Sequence, residues 1–482
     1  MPLKFWADAR RPREHASGKA REEGDHDPKG IRSVFQQDFD RLLFSTPVRR
    51  LADKTQVWPM DENDGVRTRL THSHEVANLA RSIGTRVFHR AKEFFGHVDL
   101  NETIQPILSA IGLAHDLGNP PFGHRGEVAI SDWFEARKAW IFTRTREDKK
   151  APALEPQVPA QLRPEFTRFD GNPQSLRLLT TLQTHHARVG LDLSAATLAA
   201  VLKYPVHITK RDRANAQTKK GGYFESEREV VNWIRSETGL EEGQRHPLTW
   251  IMEACDDIAY SVLDVDDLLK KGVLSPDDVL VVLRHRSAVR DRPDVQKLDE
   301  KFKEVNDSDR RAEIRHDIKI QYLRAYMIEA LINDASDAFV NHASDIMGLK
   351  QTRALMDDNP LCDALKDVAR QYGFSHPVVL RTEALGAASI DGLMSGLWEA
   401  ISERETPELR SGRKTARARY IFALISPNYV EAAEAAPRSY GPALGLRYRE
   451  LRLLTDMVSG MTDGFATKLW RDISTVPHAD RP

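Results

Sequence analysis

Cysteine is nearly absent from this chain. Of 482 residues only Cys255 and Cys362 are cysteines. Two cysteines build no disulfide framework, and without a CxxC pair there is no thiolate metal site, so a reducing, cytoplasmic setting is expected. Net charge is also lacking: 70 Lys and Arg face 71 Asp and Glu, for a formal charge of −1. That balance gives no reason to expect a nucleic-acid or membrane protein. No apolar stretch approaches the roughly 18 residues of a membrane span. The start, Met1-Pro2-Leu3-Lys4-Phe5-Trp6, runs into charge, so no signal peptide is expected. Period-2 alternation is scarce, which argues against a strand ladder. The phosphate-cradling GxxxxGK(S/T) and GxGxxG patterns and the GxSxG elbow are missing. His74-Glu75-Val76-Ala77-Asn78 lacks the second imidazole of HExxH, which excludes a zincin.

Helical periodicity is what the sequence does have. Ile104, Ile107, Leu108 and Ile111 repeat at i, i+3, i+4 and i+7, one face of a helix. The segments 230–233 and 250–269 read the same way, as does the stripe Leu454, Met457, Met461, Phe465 and Leu469. Apolar residues make up 40%, enough for a sizeable core. Residues 1–34 read as a flexible charged arm and 35–482 as one large all-α domain. Residues 145–168, with four prolines, read as a surface insertion, and 210–222 as a basic loop ending in Gly221-Gly222.

The chemistry gathers around His115-Asp116. The pair follows an apolar helix and precedes Leu117-Gly118-Asn119-Pro120-Pro121-Phe122-Gly123-His124. On a straight helix two adjacent side chains diverge by about 100°. A helix end followed by Gly118 and two prolines lets both turn toward one ion. His72 lies upstream, and Asp256-Asp257 sit in an apolar helix where burying a carboxylate is costly unless it is paired or bound to metal. Two imidazoles and two carboxylates suit Mn, Fe, Co, Ni or Mg. They point to a metallohydrolase.

Several segments together resemble the HD-domain deoxynucleoside triphosphate triphosphohydrolases, the dGTPase-like family. They are Lys54-Thr55-Gln56-Val57, Arg67-Thr68-Arg69-Leu70-Thr71-His72-Ser73, His115-Asp116 through His124, Gly126-Glu127, Phe169-Asp170-Gly171-Asn172-Pro173-Gln174, Leu202-Lys203-Tyr204-Pro205, Asp256-Asp257-Ile258-Ala259-Tyr260 and Ser459-Gly460-Met461-Thr462-Asp463. The resemblance covers about residues 35–469. It implies an all-α HD-type fold and His72, His115, Asp116 and Asp256 as metal ligands, with His74 and Asp257 outside the ligand set. It implies His124 and Glu127 as the catalytic pair. Arg69, Lys203 and Lys220 become phosphate contacts, and Gln56, Asn172, Tyr260 and Asp264 sugar-reading groups, with Tyr204 against the nucleotide. Tyr260 and Asp264 follow Asp256 by four and eight residues, one helical stripe. The implied reaction is metal-dependent hydrolysis of dGTP, or of dNTPs generally, to deoxynucleoside and inorganic triphosphate.

The alternatives are another HD-type nucleotide phosphohydrolase (a 5′-nucleotidase or phosphodiesterase) and a nucleic-acid-binding protein with a vestigial metal site. The first has no need of Gln56, Asn172, Lys203-Tyr204 and Asp264 together. The second draws on the basic run Arg410, Arg413, Lys414, Arg417 and Arg419, a candidate contact for single-stranded DNA or a nucleotide effector. The resemblance also implies a homo-oligomer, with a hexamer among the family's common forms, and no membrane partner.

Overall fold

Ser33 ends the extended chain and starts the first helix. Its hydroxyl accepts from the Gln36 N–H while the Gln36 side chain accepts from the Ser33 N–H, a capping box for α1 (Val34–Leu43). Thr68 and Thr71 cap α2 (Arg69–Arg90) reciprocally in the same way. The stripe Val76, Leu79, Ala80, Ile83 and Val87 of α2 is buried, largely against α3 (Gln105–Ala114). Every residue of α3 from Pro106 to Ala114 is buried. A helix buried on every side belongs in a core, and its one buried hydroxyl, Ser109, donates to the Gln105 carbonyl.

The structure, a computed structural model, describes residues 3–12, 31–58, 65–144, 157–406, 408–439 and 444–477. Among them strand-like pairing is confined to isolated bridges, so the fold is all-α. Helix α2 also packs on α6 (Pro247–Ile258) and α7 (Ala312–Asn341). Helix α4 (Gly123–Arg137) packs on α8 (Pro377–Ser402), which in turn packs on α9 (Leu446–Ser459) and α10 (Asp463–Thr475). The turn from His115 to Phe122 joins the α2–α3 group to the α4–α8 group. The short α5 (Gly171–Arg177) lies under that turn: a Cβ on Gly118 would meet the Gly171 carbonyl oxygen at 2.1 Å. Arg177 binds both Asp456 of α9 (2.7 Å) and Glu227 (2.7 Å) in the interior, which anchors α5.

Four expectations are revised. Residues 3–12 are not a loose arm: Phe5 is buried edge-on to His246, Trp6 stacks on Phe95, and the Ala195 N–H donates to the Ala9 carbonyl. Residues 13–30 lie outside the described ones. Of 145–168, the part up to 156 also lies outside them. Residues 157–168 are not a surface insertion, because Leu162, Glu165 and Phe166 are buried. The stripe from Leu454 to Leu469 is two helices: α9 ends at Ser459, and Thr462 caps α10 through the Phe465 N–H, leaving Phe465 half exposed. Finally, 250–269 is interrupted by a π-turn at Ala259–Leu263.

The α2–α3 contact has one point of closest approach. A Cβ on Gly112 would meet the Ala77 Cα at 2.6 Å and its backbone nitrogen at 2.8 Å. Backbone cannot step aside as a side chain tip does. Gly112→Ala is therefore expected to destabilise the fold by about 1–3 kcal/mol through overpacking. The shift of the chemical denaturation midpoint measures it, and an unchanged midpoint would show that the helices separate freely.

Candidate active site

The contact at Gly112 sets the spacing of two imidazoles. His72 lies on the first turn of α2 and His115 caps the end of α3, with their ring centres 5.5 Å apart. The His115 Nδ1 lies 2.7 Å from the Gly112 carbonyl oxygen. A carbonyl only accepts, so Nδ1 carries the proton, and in the neutral ring Nε2 presents a lone pair. That Nε2, both ring nitrogens of His72 and Oδ1 of Asp256 are buried without a hydrogen-bond partner among the described residues.

These orphaned atoms converge. Oδ1 of Asp256 lies 3.7 Å from His72 Nε2 and 3.6 Å from His115 Nε2. Such separations are too long for hydrogen bonds. They suit donors placed about 2 Å from one shared ion. His72, His115 and Asp256 form a cluster able to hold a metal, so the residues fit a divalent ion. Asp116 stands at the edge of this group, its Oδ2 3.7 Å from His115 Nε2. Its oxygens accept from Arg69 and from Asn119 Nδ2. Burial works to raise the Asp256 carboxyl, but the Lys203 ammonium 3.2 Å away and the two imidazoles outweigh it and hold it below the usual carboxylate range. Burial opposes Asp116 likewise, and Arg69 overrides it. Asp257 turns aside to Lys366 at 2.7 Å, and His74 is exposed.

A cavity of about 710 Å³ opens over this cluster. Arg69, Lys203, Tyr204, Lys220, Tyr260, Gln56, Asn172, His124 and Glu127 all line it. Gly222 lets the basic loop pass close to Tyr204, where a Cβ would lie 1.8 Å from the Tyr204 carbonyl oxygen, and Gly221 packs likewise on Ile208. That fixes the register so that Lys220, paired with Asp170 at 3.0 Å, lines the cavity. Both amide atoms of Gln56 are buried without a partner among the described residues, which leaves the group able to donate and accept. Glu127 accepts from the Gly171 N–H at 2.7 Å and holds Nδ1 of His124 at 2.9 Å. The hydrogen bond to the Glu127 carboxylate raises the His124 pKa above the usual imidazole value, with burial opposing it. The His124 side chain is 80% exposed, on the open side of the cavity.

No family model matches the chain. Curated relatives do match, along nearly its whole length. A "Deoxyguanosinetriphosphate triphosphohydrolase-like protein" of Listeria monocytogenes is 34% identical over 92% of this chain and 94% of its own. A "Probable deoxyguanosinetriphosphate triphosphohydrolase" of Pseudomonas aeruginosa is 33% identical over 94% and 95%. A "Deoxyguanosinetriphosphate triphosphohydrolase" of Klebsiella pneumoniae is 32% identical over 93% and 95%. The chain belongs to the deoxyguanosinetriphosphate triphosphohydrolase-like family.

Within that family setting, two expectations change. Asp264 does not line the cavity. The π-turn Ala259–Leu263 widens the helix between Asp256 and Asp264, so the i, i+4, i+8 stripe fails after Tyr260. Burial beside Asp267 raises the Asp264 carboxyl well above the usual carboxylate range. The basic run at 410–419 is not one exposed face. Arg413 and Arg417 are buried and donate to backbone carbonyls, and Arg410 pairs with Glu434. Arg410, Lys414 and Arg419 are the exposed cations of the run.

Other lining residues went unread in the sequence. Val57, Phe122, Phe374 and Val379 give the cavity an apolar side, and Arg125 and Glu383 form a 2.9 Å ion pair at it. Arg125 had a signal in its place directly after His124. The segment 374–383 carried no motif.

Calorimetric titration with Mn²⁺ tests the donor set. Asp256→Asn and His115→Gln are expected to weaken binding at least about tenfold, whereas Asp257→Asn leaves it within about twofold. Equal losses at Asp256 and Asp257 would sink the assignment.

Proposed function

We propose that this protein hydrolyses deoxynucleoside triphosphates, dGTP among them, to the deoxynucleoside and inorganic triphosphate, using a divalent ion held by His72, His115 and Asp256 with Asp116 as fourth ligand. The observation that carries the reading is the convergence of orphaned metal-type donors, partner-free Gln56 and four cationic side chains in one cavity. Mn²⁺ and Mg²⁺ are the first candidates, with Fe, Co or Ni equally compatible with two imidazoles and carboxylates. When bound, the ion supplies Lewis-acid charge neutralisation and acidifies water in its coordination shell.

The chain's own residues do the rest. Arg69, Lys203 and Lys220 bind the triphosphate and offset charge that develops on it. Arg69 also keeps Asp116 oriented. Tyr204 and the apolar side formed by Val57, Phe374 and Val379 receive the nucleoside, while Gln56, Asn172 and Tyr260 hydrogen-bond the sugar. His124, with Nδ1 held by Glu127, delivers a proton from Nε2 to the departing 5′-oxygen, so that the nucleoside leaves neutral.

No described helix is long and apolar enough to cross a membrane. We assign the enzyme to the cytoplasm, consistent with two free buried cysteines. A homo-oligomer and a nucleotide effector follow from the family resemblance alone.

The deciding assay incubates the protein with Mn²⁺ or Mg²⁺ and each dNTP singly and together, with Asp256→Ala alongside. Deoxynucleoside plus triphosphate, absent in the variant, is the expected product pair. Monophosphate plus pyrophosphate would sink the reading.

A pH series tests the proton donor. Glu127 stabilises the imidazolium, so the protonated His124 persists above the ordinary imidazole range. Activity that needs it is present below the raised pKa and lost as pH rises through it. Glu127→Gln is therefore expected to move the descending limb of kcat to lower pH. An unmoved limb would remove His124 from the proton-donor role.

A further inference from the structure

The side chains of Lys54 and Asp463 are not among those lining the cavity, yet both reach the turn that carries the site. Asp463 begins α10 and is 1% exposed. Its Oδ1 accepts from the Phe122 N–H at 2.9 Å and its Oδ2 from the Thr55 N–H at 3.0 Å. One carboxylate thus holds two backbone amides, the residue before α4 and the residue before Gln56. Lys54, 3% exposed, donates from Nζ to the Asn119 carbonyl at 2.5 Å and to the Ser459 carbonyl at 3.1 Å. The two side chains run in parallel between the same three strips of chain, 54–56, 119–122 and 459–463.

The turn they hold is not one the sequence adopts freely. Phe122 has φ +61° and Gly123 φ +57°. A left-handed conformation is natural for glycine and strained for an aromatic residue, and it persists only where surroundings impose it. Two things impose it here. The Phe122 ring is wedged onto α8, where a Cβ on Gly386 would meet it at 2.5 Å, and its N–H is fixed by a charge-assisted bond to Asp463. Asp116 and Asn119 lie just before this strained pair, His124 one residue after it and Glu127 on the next turn.

We infer that Asp463, with Lys54 as the second arm, is a positioning residue of the reaction: it holds Phe122 in its strained turn and so aims His124 at the substrate while keeping Asp116 in the metal cluster. The inference rests on the proposed reaction for its kinetic readout and on metal binding for an independent one. Asp463 touches no substrate, so its loss acts on turnover more than on substrate binding.

The test compares Asp463→Asn and Asp463→Ala in the full chain, with Asp53→Ala, an exposed residue next to α10, as control. Both Asp463 variants are expected to lose about tenfold or more in kcat with KM within about threefold, and to bind Mn²⁺ about threefold or more weakly. Their melting temperatures stay above the assay range, and Asp53→Ala matches the wild type. The asparagine variant discriminates, because it fills the same space but turns an NH₂ donor toward one of the two N–H groups. Wild-type kcat in Asp463→Asn overturns the inference, as does a loss that only follows the unfolded fraction. If neither Asp463 variant folds, Lys54→Met decides by the same two readouts. A wild type without turnover fails the proposed reaction alone; the Mn²⁺ affinity of Asp463→Asn then still decides the brace.

Discussion

Everything in this site depends on keeping polar atoms buried without ordinary partners. His72 is fully buried with neither ring nitrogen bonded among the described residues, and His115 and Asp256 each turn an atom without a hydrogen-bond partner there toward it. Leaving a buried donor or acceptor unsatisfied costs about 1–3 kcal/mol each. Left to relax, such a cluster would rotate toward water or toward backbone. The fold prevents this by rigid means. Helix α3 is buried on every face, its Gly112 admits α2 to backbone contact, and the Gly112 carbonyl pins the His115 ring from behind. The donors are thereby held where a cation would satisfy them.

The charges around that cluster follow the same logic. Lys203 sits against Asp256 and Arg69 against Asp116, so two carboxylates that repel each other are each screened by a cation. Those cations also face the cavity. A polyanionic substrate therefore meets basic groups already held by the metal-type carboxylates, and little side-chain entropy is lost on binding. Glu127 serves twice: one oxygen orients His124 and the other fixes the first amide of α5, so the His124 ring and the helix bearing Asn172 are set by one carboxylate. Helix α5 is in turn tied to α9 through Arg177 and Asp456, both buried. Breaking such a buried pair costs about 3–5 kcal/mol, because it strands a charge.

The parts legible in the sequence were those written locally. An apolar helix ending in His115-Asp116 and a Gly-Gly after Lys220 each state their chemistry within a few residues. What stayed hidden depends on distance or on helix irregularity. Phe374, Val379 and Glu383 reach the cavity from a segment more than a hundred residues past Asp256, and nothing local marks them. Asp264 fitted the helical count and missed the cavity, because one π-turn adds a residue that period 3.6 does not foresee. Arg413 and Arg417 read as a basic face and proved to be internal donors to carbonyls, since a sequence gives charge but not the direction in which a long side chain points. Residues 3–12 looked charged and loose. Two aromatics, Phe5 and Trp6, outweighed the charges.

The same contrast explains why the end of the chain matters to a site built near its beginning. Asp463 lies more than 330 residues after the turn it holds, and its two bonds go to backbone amides, which carry no sequence signature of their own. A left-handed Phe122 cannot be supported by local propensity; glycine there would remove the strain but also the ring that meets α8. Keeping phenylalanine thus requires an anchor from elsewhere, and a buried carboxylate with two amides to satisfy it is among the stiffest available. The His72–His115 pair is set by the α2–α3 contact, and the start of the helix that carries His124 by the bond from Asp463 of α10. The short turn from Asp116 to Gly123 is where those two independently fixed bodies must agree.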